Sequence, residues 1–476
     1  MPGDAPGDAP GDASRDVPHG VPEGRSQAVP AGLMIGVAGV RGIVGEALTP
    51  PVLARFAAAF ARSLGEGPVV VGRDARTSGP MVLSAVSAGL LAAGRDVVDL
   101  GLATTPTTQV AVEKLRAAGG VILTASHNPA PWNALKFLSS RGEFLGPAEG
   151  ASVRERYESG RDLWVPWDRV GAARAEPGAL AWHLELVLGL EFIDRPAIRR
   201  RKLKVVVDGC ASVGGFAVPA LLDALGATWV PLDCEPNGRF TRELEPLAEH
   251  LGALGNAVRE SGADFGVALD PDAYRAAFVD ASGTPLGEEY TVALGSRAVL
   301  ARRKGPVVTN LSTSRMLDFV CAEAGVELRR TPVGEAHVVA GLRAAGAVAG
   351  GEGNGGMILP AAHYGRDGLV AVALVAQMMS GGATLRQLAD ALPRYAMIKD
   401  KLARPPQPWE RTEERLREAF GGWTLDTADG LRFARDEEWV HVRASGTEPV
   451  VRVIAEAPGA AGARALVETA RRALSA

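Results

Sequence analysis

The sequence predicts an α/β protein, with three successive α/β units of mixed sheets followed by a C-terminal α+β unit. In the first three units, short β-branched runs alternate with polar or Gly-rich loops and with helices of small apolar residues, a pattern typical of layered α/β domains. This order of elements restarts near Lys204 and near Pro306 without any near-identical sequence repeat. After Trp423 the strands follow one another around short turns, which indicates an antiparallel sheet.

The first unit is predicted to alternate strands with helices from about residue 68 onward. The predicted strands are Pro68–Val71, Val97–Leu100 and Val121–Thr124, and the predicted helices are Pro80–Ala93 and Thr107–Ala118. Two polar loops bounded by glycine, at 36–42 and 72–79, contain arginine and by themselves are interpreted as structural.

The second and third units repeat this pattern, and the last unit changes it. Strands are predicted at Lys204–Asp208, Thr228–Leu232, Ala263–Asp270, Pro306–Asn310, Ala347–Gly350 and Met357–Leu359, and helices at Gly215–Leu225, Ser314–Ala324 and Asp367–Ser380. The last unit is predicted to contain strands at Trp423–Ala428, Leu431–Ala434, Trp439–Arg443 and Val450–Glu456, a type I′ turn at Asp429-Gly430 and a helix from about Ala460.

We place the four units at 33–167, 168–284, 285–393 and 394–476. Residues 1–32 contain Pro-Gly-Asp-Ala three times and are predicted to be a disordered tail.

Composition and charge exclude several classes of partner. The chain has 476 residues, a net charge of −4 and no basic run interleaved with aromatic residues. These values predict about three or four globular domains, and neither nucleic acid nor a membrane as a partner. The longest apolar run, Leu369–Ala376, is far shorter than the ~20 residues that span a bilayer. Without a basic and apolar leader, we expect a cytoplasmic location.

Cysteine and histidine usage predicts neither a disulfide framework nor a zinc site. Cys210, Cys234 and Cys321 form no CxxC pair and are expected to be reduced thiols. The seven histidines are scattered along the chain and form no HExxH motif, so the sequence shows no zinc-binding pattern.

The first candidate site is the loop Thr124–Pro129, with the sequence TASHNP, after a predicted buried strand. Ligands bind at the carboxyl ends of strands in α/β sheets, and the hydroxyl of Ser126 can act there as a nucleophile or phosphoryl carrier. A Ser/Asn turn or a helix cap explains the same residues. The chain has no GxSxG elbow at this serine, which argues against a hydrolase.

The second candidate site is the acidic loop DPDAYR, which begins at Asp270. Asp270 and Asp272 alternate after a predicted strand, and carboxylates in that arrangement suit a hard cation such as Mg²⁺. A solvated acidic turn is the alternative. An EF-hand is excluded because the later ligand positions are missing.

The third candidate site is the Gly-rich run Gly350–Gly356, with the sequence GGEGNGG. Glycines let a backbone approach a ligand closely, and Glu352 and Asn354 can then hydrogen-bond sugar hydroxyls. A flexible connector explains the run equally well. It is not a dinucleotide fingerprint, because it leads into a predicted strand instead of a helix.

The fourth candidate site is the stretch Arg443–Pro449, with the sequence RASGTEP, together with Arg452. Hydroxyls, a flexible glycine and two arginines between strands make a cradle for phosphate, since backbone N–H groups and guanidinium forks both bind that anion. A tight β-turn is the alternative.

In this order and spacing the motifs resemble the α-D-phosphohexomutase superfamily, which includes phosphoglucomutase, phosphomannomutase and phosphoglucosamine mutase. The matching stretches are GVRG at 39–42, GRD at 72–74, TASHNP at 124–129, NALK at 133–136, PNGRF at 236–240 and SGTEP at 445–449. The resemblance covers about residues 33–476, and GEGNGG at 351–356 looks like the archaeal-type branch. It implies four domains around a central cleft, each contributing one loop.

The resemblance implies that Ser126 is phosphorylated in the resting enzyme. Mg²⁺ would then bind Ser126, Asp270 and Asp272, and it would offset charge as the phosphoryl group passes to a sugar hydroxyl. Lys136 would act as the general acid or base on that hydroxyl. The remaining members of the expected catalytic group are Arg41, His127 and Arg275.

The resemblance also implies a hexose 1,6-bisphosphate that turns over in the cleft and serves as activator. The sugar phosphate would be glucosamine, mannose or glucose phosphate, bound by a monomer or homodimer. The residues expected to hold the distal phosphate are Arg443, Ser445, Gly446, Thr447 and Arg452. Glu352 and Asn354 are expected to contact the sugar hydroxyls.

One position departs from the family pattern. The family's metal loop reads D-x-D-x-D-R, and the third aspartate is replaced here by Tyr274. A phenol is a poor Mg²⁺ ligand, although water can fill the vacancy. The alternative to an active mutase is therefore a sugar-phosphate-binding paralogue impaired by Tyr274. A serine-dependent phosphatase is a third hypothesis, and it requires an activated water.

Overall fold

The computed structural model of the chain describes residues 28–404, 408–444 and 450–475. The tail predicted at 1–32 lies outside the described residues up to residue 27, and Val29 packs against the core of the first domain. The described residues form four sheets, which confirms three α/β units followed by an α+β unit. In this part of the chain, none of the helices has the length and apolar character needed to cross a membrane.

The first domain is built on a seven-stranded mixed sheet. Its elements are β1 (Met34–Gly36), β2 (Gly39–Ile43), α1 (Pro50–Ser63), β3 (Val69–Arg73), α2 (Gly79–Ala92), β4 (Val97–Leu102), α3 (Thr105–Lys114), β5 (Gly119–Leu123), β6 (Trp132–Leu138), α4 (Pro147–Ser159) and β7 (Ala173–Ala175). The strand order is β1-β2-β6-β5-β3-β4-β7, so this sheet extends past residue 167, where we placed the boundary from the sequence.

The second and third domains each contain a four-stranded sheet. The chain passes through α5 (Ala179–Leu188), α6 (Arg195–Arg201), β8 (Lys204–Asp208), α7 (Gly214–Leu225), β9 (Thr228–Leu232), α8 (Gly252–Ser261), β10 (Phe265–Leu269) and β11 (Ala276–Asp280). It continues with α9 (Glu289–Leu300), β12 (Val307–Asn310), α10 (Met316–Ala324), β13 (Leu328–Thr331), α11 (Glu335–Ala345), β14 (Ala349–Glu352), β15 (Gly356–Ile358), α12 (Gly368–Met379) and α13 (Leu385–Asp390). One hydrophobic core joins the two domains and includes α12.

The same four-strand unit recurs in all three α/β sheets. Its three instances are β4-β3-β5-β6, β9-β8-β10-β11 and β13-β12-β14-β15, in which three parallel strands adjoin one antiparallel strand. In each unit a loop connects the last parallel strand to the antiparallel strand, at 124–131, 270–275 and 353–355. The serine loop, the acidic loop and the Gly-rich loop are therefore equivalent in position, at the edge where α/β sheets bind ligands.

The C-terminal domain is an antiparallel five-stranded sheet covered by helices. Its elements are β16 (Ala396–Ala403), α14 (Trp409–Ala419), β17 (Thr424–Asp426), β18 (Leu431–Arg435), β19 (Glu438–Ala444), β20 (Val450–Ala457) and α15 (Ala460–Ser475). The hairpin predicted around Asp429-Gly430 is present, but its type I′ turn was a wrong prediction. That turn needs a positive φ at both central residues, and Gly430 has one (75°) while Asp429 does not.

Candidate active site

Ser126 lies in the loop after β5 with a left-handed backbone conformation, φ 49°. A non-glycine residue in that conformation costs about 1–3 kcal/mol, so neighbouring contacts must hold it. Its N–H donates to Thr124 Oγ1 at 2.9 Å, and its Oγ donates to Asp270 Oδ2 of the second domain at 3.0 Å. The hydroxyl is thus aimed across the domain boundary at the acidic loop.

Arg76, from the loop after β3, holds the serine loop in place. Its Nη2 donates to the carbonyls of Ser126 and Asn128, both at 2.6 Å, and its Nη1 donates to those of Pro129 and Trp132, both at 2.9 Å. Its Nε pairs with buried Asp74 at 3.2 Å. The sequence did not single out this arginine, although the family-like GRD motif lies just before it.

Replacing Arg76 by methionine should destabilise the first domain. The change leaves Asp74 as a buried charge without its partner and four loop carbonyls without their donor, and breaking a buried ion pair typically costs about 3–5 kcal/mol. Thermal unfolding measures the effect, with Arg62→Met on the exposed side of α1 as the matched control. Equal melting temperatures for the two variants would contradict this account.

The acidic loop presents two fully buried carboxylates. Asp270 Oδ1 accepts the N–H groups of Tyr274 and Arg275, both at 2.9 Å. Burial and the neighbouring carboxylate of Asp272 raise the pKa of Asp270 to about 7. Burial alone would raise the pKa of Asp272, but the Lys136 ammonium lowers it below its usual range.

Of Asp270 and Asp272, Asp272 is the better placed to bind a cation. Its Oδ2 accepts from Lys136 Nζ at 2.9 Å and from Thr105 Oγ1 at 2.7 Å. Its Oδ1 is buried and has no hydrogen-bond partner among the described residues. An orphaned carboxylate oxygen beside Asp270 and the Ser126 hydroxyl fits an oxygen-ligated Mg²⁺.

Cationic side chains surround the serine. Arg41 Nη1 donates to Asn128 Oδ1 at 3.3 Å, while Arg275 Nη1 pairs with Glu245 at 2.6 Å. His127 Nδ1 lies 3.4 Å from Arg275 Nη2. Burial, together with the positive charge of Arg275, lowers the pKa of His127 to about 4, so the imidazole is neutral near pH 7. The structure thus brings the predicted catalytic residues Arg41, Ser126, His127, Lys136 and Arg275 together.

The side chain of Tyr274 extends to the third domain. Its hydroxyl donates to Glu335 at the start of α11. Its ring lies 4.5 Å from the Arg366 guanidinium and 5.6 Å from Lys136 Nζ. Burial and Glu335 raise the pKa of Tyr274 well above its usual range, so the phenol stays protonated. The residue therefore links the acidic loop to α11 instead of completing a set of metal ligands.

Arg366 holds acidic and polar side chains at the Gly-rich loop. It pairs with Glu335 and with Glu352, each at 2.9 Å, and donates to Asn354 Oδ1 at 3.2 Å. Glu352 is 4% exposed and also accepts from Asn310 at 2.9 Å. The two residues predicted to read sugar hydroxyls are thus held by an arginine that the sequence did not identify.

The C-terminal domain contacts the Gly-rich loop through Lys399 in β16. Lys399 Nζ donates to the Gly353 carbonyl at 3.2 Å and pairs with Glu288 at 2.7 Å and Glu289 at 3.1 Å. A Cβ on Gly353 would displace the Glu289 carboxylate, which contacts Lys399 and the Ser314 N–H, so glycine at this position preserves those contacts.

Three cationic residues form a row on the C-terminal sheet. In the strand register, Arg452 is opposite Arg443 on one side and Lys401 on the other. Like charges directly opposite each other destabilise a sheet. Arg443 pairs with Asp429 at 3.2 Å, which offsets part of this positive charge, and a bound anion would offset the rest. Ser445, Gly446 and Thr447, which we predicted to hold phosphate with these arginines, lie outside the described residues.

Two adjoining cavities separate the first domain from its neighbours. A cavity of about 350 Å³ is lined by Arg41, Ser126, Lys136, Arg275 and Arg366. A second, of about 530 Å³, lies between the β6–α4 loop and α11, and Glu335 and His337 line it. These volumes suit a small ligand. The described part of the cleft therefore offers a hydroxyl and a pair of buried carboxylates beside several cations, a combination suited to phosphoryl transfer.

Comparison with known proteins agrees with this geometry. The models of the phosphoglucomutase/phosphomannomutase family match in series: alpha/beta/alpha domain I at 32–163, domain II at 186–283, domain III at 287–395 and the C-terminal domain at 397–473. The chain belongs to this family. It is a phosphohexomutase, an intramolecular phosphotransferase of the isomerase class.

Individual relatives cover nearly the whole chain. A probable phosphoglucosamine mutase of Methanopyrus kandleri is 38% identical, over 91% of this chain and 96% of the relative. A phosphoglucomutase/phosphomannomutase of Thermococcus kodakarensis is 37% identical, over 92% and 97%. Among solved structures, a phosphoglucomutase/phosphomannomutase family protein of Burkholderia thailandensis aligns with a TM-score of 0.81 at 27% identity, over 93% of this chain and 96% of that one.

Proposed function

We propose that the enzyme interconverts hexose 1-phosphate and hexose 6-phosphate through a phosphoserine at Ser126 and a bisphosphorylated sugar. The observation that carries this proposal is the hydrogen bond from Ser126 Oγ to Asp270. Ser126 also lines a cavity to which three domains contribute cations. A phosphoryl group on Ser126 would enter a site that already holds compensating positive charge.

Lys136 is the residue best placed to move a proton. It lines the cavity with Ser126, and Asp272 holds its Nζ at 2.9 Å. In the forward direction its neutral amine would take the proton of the sugar hydroxyl that attacks the phosphoryl group, and in the reverse direction the resulting ammonium would return that proton. Mg²⁺ bound by Asp270, Asp272 and the Ser126 oxygen would supply electrostatic stabilisation of the transferring phosphoryl group.

The distal phosphate is assigned to the cationic row on the C-terminal sheet. Arg443 and Arg452 flank the loop that contains Ser445, Gly446 and Thr447, and Lys401 extends the row. The sugar would lie between this row and Ser126, near Glu352 and Asn354. Because either phosphate of the bisphosphate can be held distally, the same residues would serve both orientations of the sugar.

The substrate is a hexose phosphate whose sugar is glucosamine, mannose or glucose. The relatives named above support a glucosamine phosphate or a mixed glucose and mannose specificity, since their names cover those three sugars. Coupled assays with glucosamine, mannose and glucose 1-phosphates decide between them, with Mg²⁺ and a catalytic amount of hexose 1,6-bisphosphate as activator. Measurable binding of all three sugars without turnover of any would overturn the mutase proposal.

A second candidate function is a sugar-phosphate-binding paralogue with impaired catalysis. The observation that favours it is that Tyr274 hydrogen-bonds Glu335, so that the acidic loop has only the carboxylates of Asp270 and Asp272 for a metal. In that case Mg²⁺ would bind weakly, while the sugar and phosphate contacts remained. The same assays separate this candidate from an active mutase.

Replacing Tyr274 by aspartate should tighten Mg²⁺ binding, measured by titration calorimetry. The change adds a third carboxylate to the loop, and carboxylate count sets the affinity of such sites. Tyr274→Phe is the matched control: it removes only the hydroxyl that binds Glu335 and should leave the Mg²⁺ affinity unchanged. If aspartate gives no tighter binding than tyrosine, this position is not available to a metal ligand in this chain.

A further inference from the structure

A second cluster of potential ligands lies outside the active site, where two distant segments of the chain meet. His183 in α5 points its Nε2 at Asp367 Oδ2 at 2.7 Å, and His363 Nε2 lies 3.1 Å from the same oxygen. All three side chains are buried, with 0–2% of each exposed. The three ligand atoms lie within 4.8 Å of one another.

The buried carboxylate of Asp367 has no partner from lysine or arginine among the described residues. The side chains that contact its Oδ2 are the two imidazoles of His183 and His363. Buried charges are paired or coordinate metals. The N–H groups of Leu369 and Val370 satisfy Oδ1 and leave Oδ2 facing the imidazoles.

The surroundings of His183 resemble the outer contacts of a metal ligand. Its Nδ1 lies 2.9 Å from Thr107 Oγ1, and that hydroxyl lies 2.7 Å from Thr104 Oγ1. A partner on the far ring nitrogen fixes the tautomer and orientation of a metal-bound imidazole. The far nitrogen of His363, Nδ1, is buried without a partner among the described residues. The ring therefore has no described polar contact other than the one toward Asp367.

We propose that His183, His363 and Asp367 bind a Zn²⁺ ion that joins α5 to the N-terminus of α12. Imidazole nitrogen and carboxylate oxygen are ligands that Zn²⁺ takes at ~2.0–2.2 Å, which separates neighbouring ligand atoms by roughly 3.3 Å in a tetrahedron. The two N–O separations of 2.7 and 3.1 Å differ from this value by well under 1 Å, and all three ligand atoms lie within 4.8 Å of one another. His363 also lines a cavity of about 440 Å³, and water would be the fourth ligand of the ion.

This site would stabilise the active site without taking part in the reaction. Arg366, which pairs with Glu335 and Glu352, directly precedes Asp367. The next residue, Gly368, donates its N–H to the Ala273 carbonyl in the acidic loop at 3.2 Å. On the other side, α3 presents Thr107 to His183 and Thr105 to Asp272. An ion at this point would therefore fix two segments that position catalytic groups.

The test is the zinc content of the full-length enzyme, purified and dialysed against excess Mg²⁺ so that zinc is removed from the oxygen-rich acidic loop. Elemental analysis should find about one equivalent of zinc per chain, and a chelator should lower the melting temperature. His363→Ala, which alters the cavity-facing ligand, should lose the zinc. His250→Ala, at a partly exposed histidine outside the cluster, should keep it.

Cobalt gives a second readout that does not depend on the stability of the variant. Co²⁺ added to chelator-treated enzyme should produce the visible absorption of a nitrogen-containing tetrahedral site, and Zn²⁺ should displace it while Mg²⁺ should not. Absence of bound zinc together with absence of this absorption would overturn the proposal and leave a proton-bridged His–Asp–His network. Equal zinc content in the His363→Ala and His250→Ala proteins would also overturn it.

Discussion

Replacing Ser126 by alanine should abolish the phosphoenzyme and reduce mutase turnover by about 10³-fold or more, since removing the nucleophile of a covalent enzyme costs at least that much. The reason is positional: the Ser126 hydroxyl is the group that faces Asp270 across the domain boundary at 3.0 Å. Intact mass spectrometry after incubation with hexose 1,6-bisphosphate measures the result. The wild-type chain should gain the mass of one phosphoryl group, and the Ser126→Ala chain should not.

Ser84→Ala supplies the control for this experiment. Ser84 is exposed on α2, where its hydroxyl donates to the Pro80 carbonyl, so its loss should leave the phosphoenzyme intact. Persistence of the phosphoryl label in Ser126→Ala would assign the carrier to another residue. The left-handed backbone of Ser126 is compatible with alanine at similar cost, and Arg76 holds the loop through backbone carbonyls, so the variant should fold.

The fold could be predicted from the sequence where local pattern and burial agree. Lys204–Asp208 contains three consecutive valines, and Thr228–Leu232 contains a threonine and a valine. Both strands have the predicted bounds. The strand Ala349–Glu352 was predicted to end at Gly350, because glycines favour loops. A Cβ on Gly350 would collide with the Val308 carbonyl of the neighbouring strand, so tight packing explains the glycine there. The sequence pattern does not contain that cross-strand distance.

In the candidate site, too, some residues could be predicted from the sequence and others could not. Ser126, Lys136, Asp270 and Asp272 belong to motifs with a recognisable order, and the structure brings all four together. Arg366 and Arg76 were missed because their importance comes from contacts with distant segments.

Tyr274 was noticed in the sequence as an absent ligand. Its contact with Glu335, 61 residues away in the chain, became visible only in the fold. Likewise, the two histidines of the proposed zinc site are too far apart in sequence to form any motif.

Replacing Asp272 by asparagine should lower turnover by about 10²–10³-fold, as removal of one electrostatic group from an active site commonly does. Asp272 contributes to both the proposed metal site and the proposed proton transfer, because it would bind Mg²⁺ and it holds Lys136. The substitution keeps the size of the side chain and an oxygen for Thr105, so the fold should survive. It removes the negative charge that pairs with Lys136 at 2.9 Å and the orphaned Oδ1. Initial rates across a range of Mg²⁺ concentrations should show a raised requirement for the metal.

A companion variant separates the two roles. Lys136→Met removes the ammonium but leaves both aspartates, so it should lose turnover while Mg²⁺ still binds in titration calorimetry. Asp272→Asn should lose both turnover and Mg²⁺ binding. Asp223→Asn, at an exposed aspartate on α7, should retain both. Undiminished Mg²⁺ binding by Asp272→Asn would show that this carboxylate acts only by positioning Lys136. In that case the metal site would have to be built on Asp270 and the phosphoserine, with water in place of the second carboxylate.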